Sequence, residues 1–187
     1  MDNIERFADL DDSAAVVGTA SSLVKRAYSA SESQDQGHTM RGRLNTPIDL
    51  FRFILAGNAT LTLVSKKSGA RFTYKFQRPD PEPGRRRPIF VKVLSGADNE
   101  NNYAFVGTIW PDAAAWTYKH SFKSRVTQSA PSVVAVQWML KHLNVGGDAL
   151  LLQAEVWHEG RCGRCGRKLT VPSSIESGFG PECITKI

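Results

Sequence analysis

The stretch TLTLVSKKSGARFTYKF, Thr60 to Phe76, sets the architecture. Leu61 and Leu63 alternate with Thr60 and Thr62, and Phe72, Tyr74 and Phe76 alternate with Arg71, Thr73 and Lys75. A period of two on both sides of SKKSGA, with Gly69 in the turn, predicts a β-hairpin with one apolar and one polar face. Upstream, TPIDLFRFILAG reads as a helix: Thr46 caps it, Pro47 takes the first helical position, Asp49 sits near the positive end of the dipole and Gly57 stops it.

Downstream, RPDPEPGRRRP (Arg78 to Pro88) cannot continue a central strand, because proline lacks the ladder donor. It reads as a loop. IFVKVL and YAFVGTIW read as two further strands joined by the turn-forming SGADNENN. APSVVAVQWMLKHLN places Val133, Val136, Leu140 and Leu143 at helical spacing, which predicts a helix covering one face of the sheet. ALLLQAEVWH reads as a strand with Leu150, Leu152, Val156 and His158 on one side.

The expected class is α+β: an antiparallel sheet of about four to five strands packed with one or two helices, plus a small C-terminal zinc-ribbon-like module. Residues 1–43 form an N-terminal arm and linker, 44–148 the core domain and 149–187 the module. Within the arm, a weak helix over 12–28 precedes the polar SASESQDQGHT (Ser29 to Thr39), which has a linker's composition.

The chain of 187 residues has 41% hydrophobic and 22% charged residues, an ordinary globular composition. MDNIERFADLDD carries acids where a signal peptide would carry a basic segment, and SVVAVQWML is about half the roughly 20 residues of a membrane span. A soluble intracellular protein is expected, with no membrane partner. In that reducing setting three clustered cysteines read as metal ligands. The surplus of 24 basic over 18 acidic residues, +6, suits nucleic acid or an acidic protein surface.

Cys162 and Cys165 are spaced CxxC and followed by Gly166, the form of a zinc knuckle, in which backbone N–H groups point at thiolates. Cys183 follows after a loop of 17 residues, in which Ser173 and Glu176 have capping-box spacing and Gly178 ends a short helix. Zinc takes four ligands, and His158, Glu159 and Glu182 are the candidates for the fourth. His158 is preferred, since neutral imidazole is a common ligand and the strand ending there leads straight into the knuckle. One structural Zn²⁺ per chain, held by His158, Cys162, Cys165 and Cys183, is expected to stand in for the core that so small a segment lacks.

HEGRCGRCGRKLTVPSSIESGFGPEC resembles the small cysteine-rich domain of unknown function found at the C-terminus of uncharacterised proteins of phages, prophages and other mobile elements. His158, Cys162, Cys165, Gly166, Arg167, Leu169, Thr170, Ser174, Ile175, Gly178, Gly180, Pro181 and Cys183 carry the likeness. The segments AGNATLTLVS, TYKF and FVKVLSGADN are similar to longer members of that group. The resemblance implies a mobile-element origin, hence the cytoplasm of a bacterial host, and a zinc module. It implies no activity.

Deaminase-like zinc enzymes pair HxE with PCxxC, whereas here His158 and Glu159 are adjacent and no proline precedes Cys162. No GxSxG, Walker loop or catalytic carboxylate pair is present, so neither an enzyme nor a small-molecule substrate is expected. His38, His120 and His142 read as surface histidines.

Arg161, Arg164, Arg167 and Lys168 lie between or beside the ligands on a rigid turn, where they can meet phosphates at small ordering cost. Lys66, Lys67 and Arg71 at the hairpin, and Arg85, Arg86 and Arg87 in the proline-rich loop, are the other basic groups. YKHSFKSR, Tyr118 to Arg125, mixes aromatics with cations as single-strand binders do. Taken one at a time, hairpin lysines form a solvated face, an arginine run between prolines forms a loop tip, and Tyr118 and Phe122 are sheet core. The expected function is a zinc-stabilised, non-enzymatic accessory protein that contacts nucleic acid. The alternative is a module that modulates an acidic host protein, with Trp110, Trp116 and Trp157 as anchors.

Overall fold

The computed structural model describes residues 42–80, 82–112 and 114–187. The expected helix over 12–28 and linker over 29–39 lie outside the described residues. The elements, in chain order, are α1 (Pro47–Leu55), β1 (Asn58–Ser65), β2 (Arg71–Gln77), β3 (Ile89–Leu94), β4 (Tyr103–Trp110), β5 (Thr117–His120), α2 (Pro131–Asn144), α3 (Asp148–Gln153), β6 (Ala154–His158), α4 (Pro172–Ser177) and α5 (Pro181–Ile184).

The hairpin forms as its alternation predicts. Leu61 pairs with Tyr74 and Leu63 with Phe72, while Thr62 opposes Thr73 and their hydroxyls share a hydrogen bond of 2.7 Å. From this pair the sheet grows both ways into six antiparallel strands, ordered β5-β4-β3-β2-β1-β6. This is more than the expected four to five, because the four-residue β5 adds an edge beside β4.

Thr46 caps α1 as anticipated, its hydroxyl accepting from the Asp49 N–H at 3.1 Å. Leu50, Phe53 and Ile54 of α1 and Val133, Val136, Leu140 and Leu143 of α2 are buried. They cover the sheet face that carries Leu61, Tyr74, Phe76, Val91 and Val156, also buried. One polar and one ring contact mark this layer: the Tyr74 hydroxyl donates to the Ser132 carbonyl at 2.6 Å, and the Phe53 ring lies 5.5 Å from that of His158, which pairs with Leu61 on the same face. A shift of register between Val91 and Lys92 inserts Val106 as a bulge. The bulge restores parity, so Phe105 opposes Lys92 and Thr108 opposes Phe90 on the outer face.

Several expectations need correction. Residues 148–153 form the helical turn α3, and only Ala154–His158 is strand. Leu150 is buried, but Leu152 is 74% exposed, because three consecutive leucines cannot all face one side of a turn. His142 is buried, with Nδ1 2.9 Å from the Trp138 carbonyl, and is no surface histidine. Phe122, read as sheet core, is 93% exposed. Helix α4 starts at Pro172 with Val171 as its cap and no side-chain capping bond, so the Ser173–Glu176 box does not form. No helix among the described residues is long and apolar enough to cross a membrane.

Candidate metal centre and its basic surroundings

Edge strand β6 runs along β1 with His158 opposite Leu61, then turns at Gly160 into the cysteines. The knuckle is closed by the Cys162 N–H donating to the Arg167 carbonyl at 2.8 Å and the Gly166 N–H donating to the Cys162 carbonyl at 2.9 Å. Gly166, at φ 74°, takes the left-handed conformation this turn needs. Helix α4 ends at Gly178, also left-handed, and α5 then delivers Cys183.

The sulfurs of Cys162, Cys165 and Cys183 lie within 4.8 Å of one another. Burial opposes ionisation at Cys162, but the N–H groups of Cys165, Gly180 and Arg164 donate to its sulfur, and together they hold its pKa below the ordinary thiol value. At Cys183 burial, hydrogen bonding with Cys165 and Cys162 and their negative charge push the thiol up to about 11. Three thiolates at this spacing, with N–H groups already aimed at one sulfur, could hold a metal ion.

His158 stands apart from that cluster. Its Nδ1 accepts from the Gly160 N–H at 3.1 Å and its Nε2 lies 2.6 Å from the Ile175 carbonyl, so both ring nitrogens are engaged. The strand parity that turns His158 inward was read correctly; its partner is the backbone of α4. Glu159 bonds the Thr62 hydroxyl instead of the sulfurs. Glu182 lines a shallow hollow of about 270 Å³ together with the three cysteines, Arg167 and Lys168. In this structure His158 does not join the three sulfurs, and Glu182 is the candidate ligand that shares their hollow.

The basic residues named from the sequence do not form one surface. Arg161 pairs with Glu100. Arg85 and Arg87 both pair with Glu82, and Arg86 with Asp112 at 2.8 Å. The hairpin group lies at the far end of β1, about 23 Å of strand from the knuckle; there Lys66 donates to the Leu151 carbonyl at 2.8 Å, and Lys67 and Arg71 flank the turn. Arg167 and Lys168 stay beside the sulfurs.

A different convergence exists. Arg164, at the tip of the knuckle, shares the rim of a cleft of about 440 Å³ with Arg52, Arg78 and Lys186, and Asp80 is the one acidic side chain among the described residues of the lining. The Arg164 guanidinium donates to the Lys186 carbonyl, which ties knuckle and C-terminus together. Arg52 and Arg78 escaped the sequence reading because each stands alone in its segment. A helix arginine close to the Gly57 stop and an arginine just past a strand end were the available signals.

Residues 153–187 match a family of unknown function, DUF6011. The matched segment is β6 with the cysteine module, so the likeness covers the candidate metal centre and leaves most of the sheet outside it. It agrees with the resemblance to an uncharacterised cysteine-rich domain. No curated protein and no solved structure matches the chain.

Proposed function

We propose that this chain is a non-enzymatic, zinc-stabilised accessory protein of a phage or other mobile element that binds nucleic acid in a bacterial cytoplasm. The observation that carries the reading is the cleft where Arg164 meets Arg52, Arg78 and Lys186. These cations come from α1, the end of β2, the knuckle and the C-terminus, so only the assembled tertiary structure brings them together. Their charges repel, and a polyanion relieves that repulsion while releasing counterions.

Zinc, when bound, supplies a cross-link between the CxxC turn and α5. It thereby fixes Arg164 over the cleft. Cys162, Cys165 and Cys183 would hold it, with water or Glu182 as the candidates facing the fourth position. A structural rather than catalytic role is supported by the sequence around the ligands, which lacks the HxE and PCxxC pairing of zinc deaminases.

The test is a binding titration of the full, zinc-loaded chain against duplex and single-stranded oligonucleotides at several salt concentrations. Affinity should fall as salt rises, and Arg52→Ala with Arg78→Ala should flatten that slope by roughly the two charges removed. No binding at low salt would sink the reading. Elemental analysis beside Cys162→Ser checks the metal, with about one zinc per chain in the parent.

A protein partner is the second reading. Val171, Ile184 and Ile187 leave 53%, 40% and 42% of their surface exposed on the module, and a host protein surface would cover them. Capture from nuclease-treated lysate that is lost when these residues are made polar would favour it.

A further inference from the structure

Among the described residues, the helices leave the second face of the sheet uncovered. Opposing residues across β1 to β5 set out two rows there: Thr60, Lys75, Lys92 and Phe105 in one, and Gln77, Phe90, Thr108 and Lys119 in the next. Tyr103 and Trp110 stand on the same face at the two ends of β4.

Two properties of this surface do not suit a merely solvated sheet face. The first is its aromatics. Phe90 keeps 37% of its area exposed, with its ring 6.2 Å from that of Phe105. The second is its charge. Strands β2 to β5 contain lysine, arginine and histidine but no aspartate or glutamate. Cations sit directly over rings: the Lys75 ammonium lies 3.9 Å from the centre of Tyr103, and that of Lys119 lies 5.8 Å from Trp110. Burial, with Arg161 and Lys92 as neighbouring cations, holds the Lys75 ammonium below the usual lysine range, against the opposing pull of Glu100 and Asp98.

We infer that this outer face is a stacking platform for single-stranded nucleic acid, with bases on Phe90 and Phe105 and phosphates on Lys92 and Lys119. Unpaired bases expose the π-faces that aromatic side chains stack on, while a duplex hides them and offers only its backbone. The interleaved lysines supply the complementary charge along the strand, and β2 to β5 themselves add no acid, Glu100 and Glu159 bordering the face beside Lys75 and Tyr103. The bulge at Val106 serves this arrangement, because it returns Phe105 to the side of Thr108 and Trp110.

The inference rests on the nucleic-acid reading but on a surface separate from the basic cleft, so the two can fail separately. The experiment compares the full zinc-loaded chain with Phe90→Ala, Phe105→Ala, Phe90→Trp and Arg52→Ala/Arg78→Ala, each shown to melt as a folded protein. The probes are oligothymidylate and oligouridylate of about 15 nucleotides, near the upper site size of single-strand folds, an abasic oligomer of equal charge and a duplex.

Each Phe→Ala change should weaken binding to both base-bearing single strands about 5- to 150-fold. It should leave the abasic oligomer and the duplex untouched, and Phe90→Trp should retain binding. Trp110 fluorescence should quench on saturation. Parental affinity in both Phe→Ala variants, with the Arg52/Arg78 variant weakened, overturns the platform and spares the cleft. No binding by the parent to any probe overturns both.

Discussion

Phe53 touches two regions held together by different means. On one side it joins the core between the helices and the sheet, where Leu50, Ile54, Leu61, Tyr74, Phe76 and Leu143 are essentially without solvent contact. On the other it faces the module, its ring 5.7 Å from that of Phe179 and close against Gly163 and Gly178. Beyond that joint, Cys162, Leu169 and Phe179 are the buried apolar residues of the module. The sheet domain holds its shape by apolar area removed from water. The module is held by backbone hydrogen bonds around its glycines, by one aromatic seat and by whatever joins three sulfurs. The contrast implies that, if the three sulfurs hold a metal as proposed, the conformation of the knuckle, and with it the direction of Arg164, should depend on that metal far more than the sheet does.

Taking the metal away should separate the two regions most. Structural zinc in isolated finger peptides contributes on the order of 10 to 16 kcal/mol, more than the few buried side chains of this module can supply. A strong chelator, or Cys162→Ser, should abolish amide-exchange protection over residues 159–187 while the strands β1 to β4 keep theirs. Retained protection in the metal-free module would show that the two regions do not differ in this way.

Phe53→Ala attacks the joint. Removing a fully buried phenylalanine costs about 3 to 5 kcal/mol, and here the cavity opens toward both regions at once. Urea denaturation should show that loss of stability, together with easier chelation of the metal from the folded chain. A loss below about 1 kcal/mol would mean the module does not seat on α1.

Gly163→Ala is a finer probe of the same seat. A Cβ built there would meet the Phe53 ring at 2.7 Å and the Phe179 ring at 3.1 Å. The Gly163 N–H also donates to the Gly178 carbonyl at 3.0 Å, and its carbonyl accepts from the Asn58 N–H at 2.7 Å, so the turn cannot slide away. Overpacking of about 1 to 3 kcal/mol is expected, read as a lower melting temperature with the metal still bound. An unchanged melting temperature would show that the knuckle is looser than its contacts imply.

The same contrast explains what could be read in advance. Where a residue's fate follows from its neighbours along the strand, as for Leu61, Tyr74 and Phe76, period-two alternation was enough, and the register followed. Thr46, Pro47 and Gly57 marked the bounds of α1 by local chemistry. Where a fate depends on a distant carbonyl or carboxylate, sequence spacing was silent: nothing in HEGRCGRC announces that His158 meets Ile175 or that Arg161 meets Glu100. The triple arginine is an intermediate case. Glu82 stands within the same proline-rich loop and pairs with Arg85 and Arg87, a local partner that the reading of the run as a basic group left out. Strand β5 was missed because four residues are too few for a period, and its aromatic and basic mixture drew a functional reading first.

The smallest expected effect comes from His158, where the two regions meet through a single proton. The Gly160 N–H donates to Nδ1, so Nδ1 carries no hydrogen, and Nε2–H must be the donor to the Ile175 carbonyl. The imidazole is therefore neutral in the folded chain, and protonation would set one N–H against another. Burial lowers its pKa from the ordinary 6.5, and the Ile175 carbonyl and Glu159 oppose that shift without reversing it. A base whose folded pKa is depressed binds fewer protons folded than unfolded between the two values. The contribution is thus complete above the unfolded value and is lost as pH falls from there through the folded one. Protonation of the cysteines also releases metal in acid, so the parent must be compared with His158→Gln, whose amide can donate to one partner and accept from the other but cannot charge. The difference in stability between the two, measured by denaturation at a series of pH values, should shrink as the pH is lowered below about 6.5 and level off beneath the folded pKa. Parallel profiles would show that His158 does not couple the strand to the module through its protonation state.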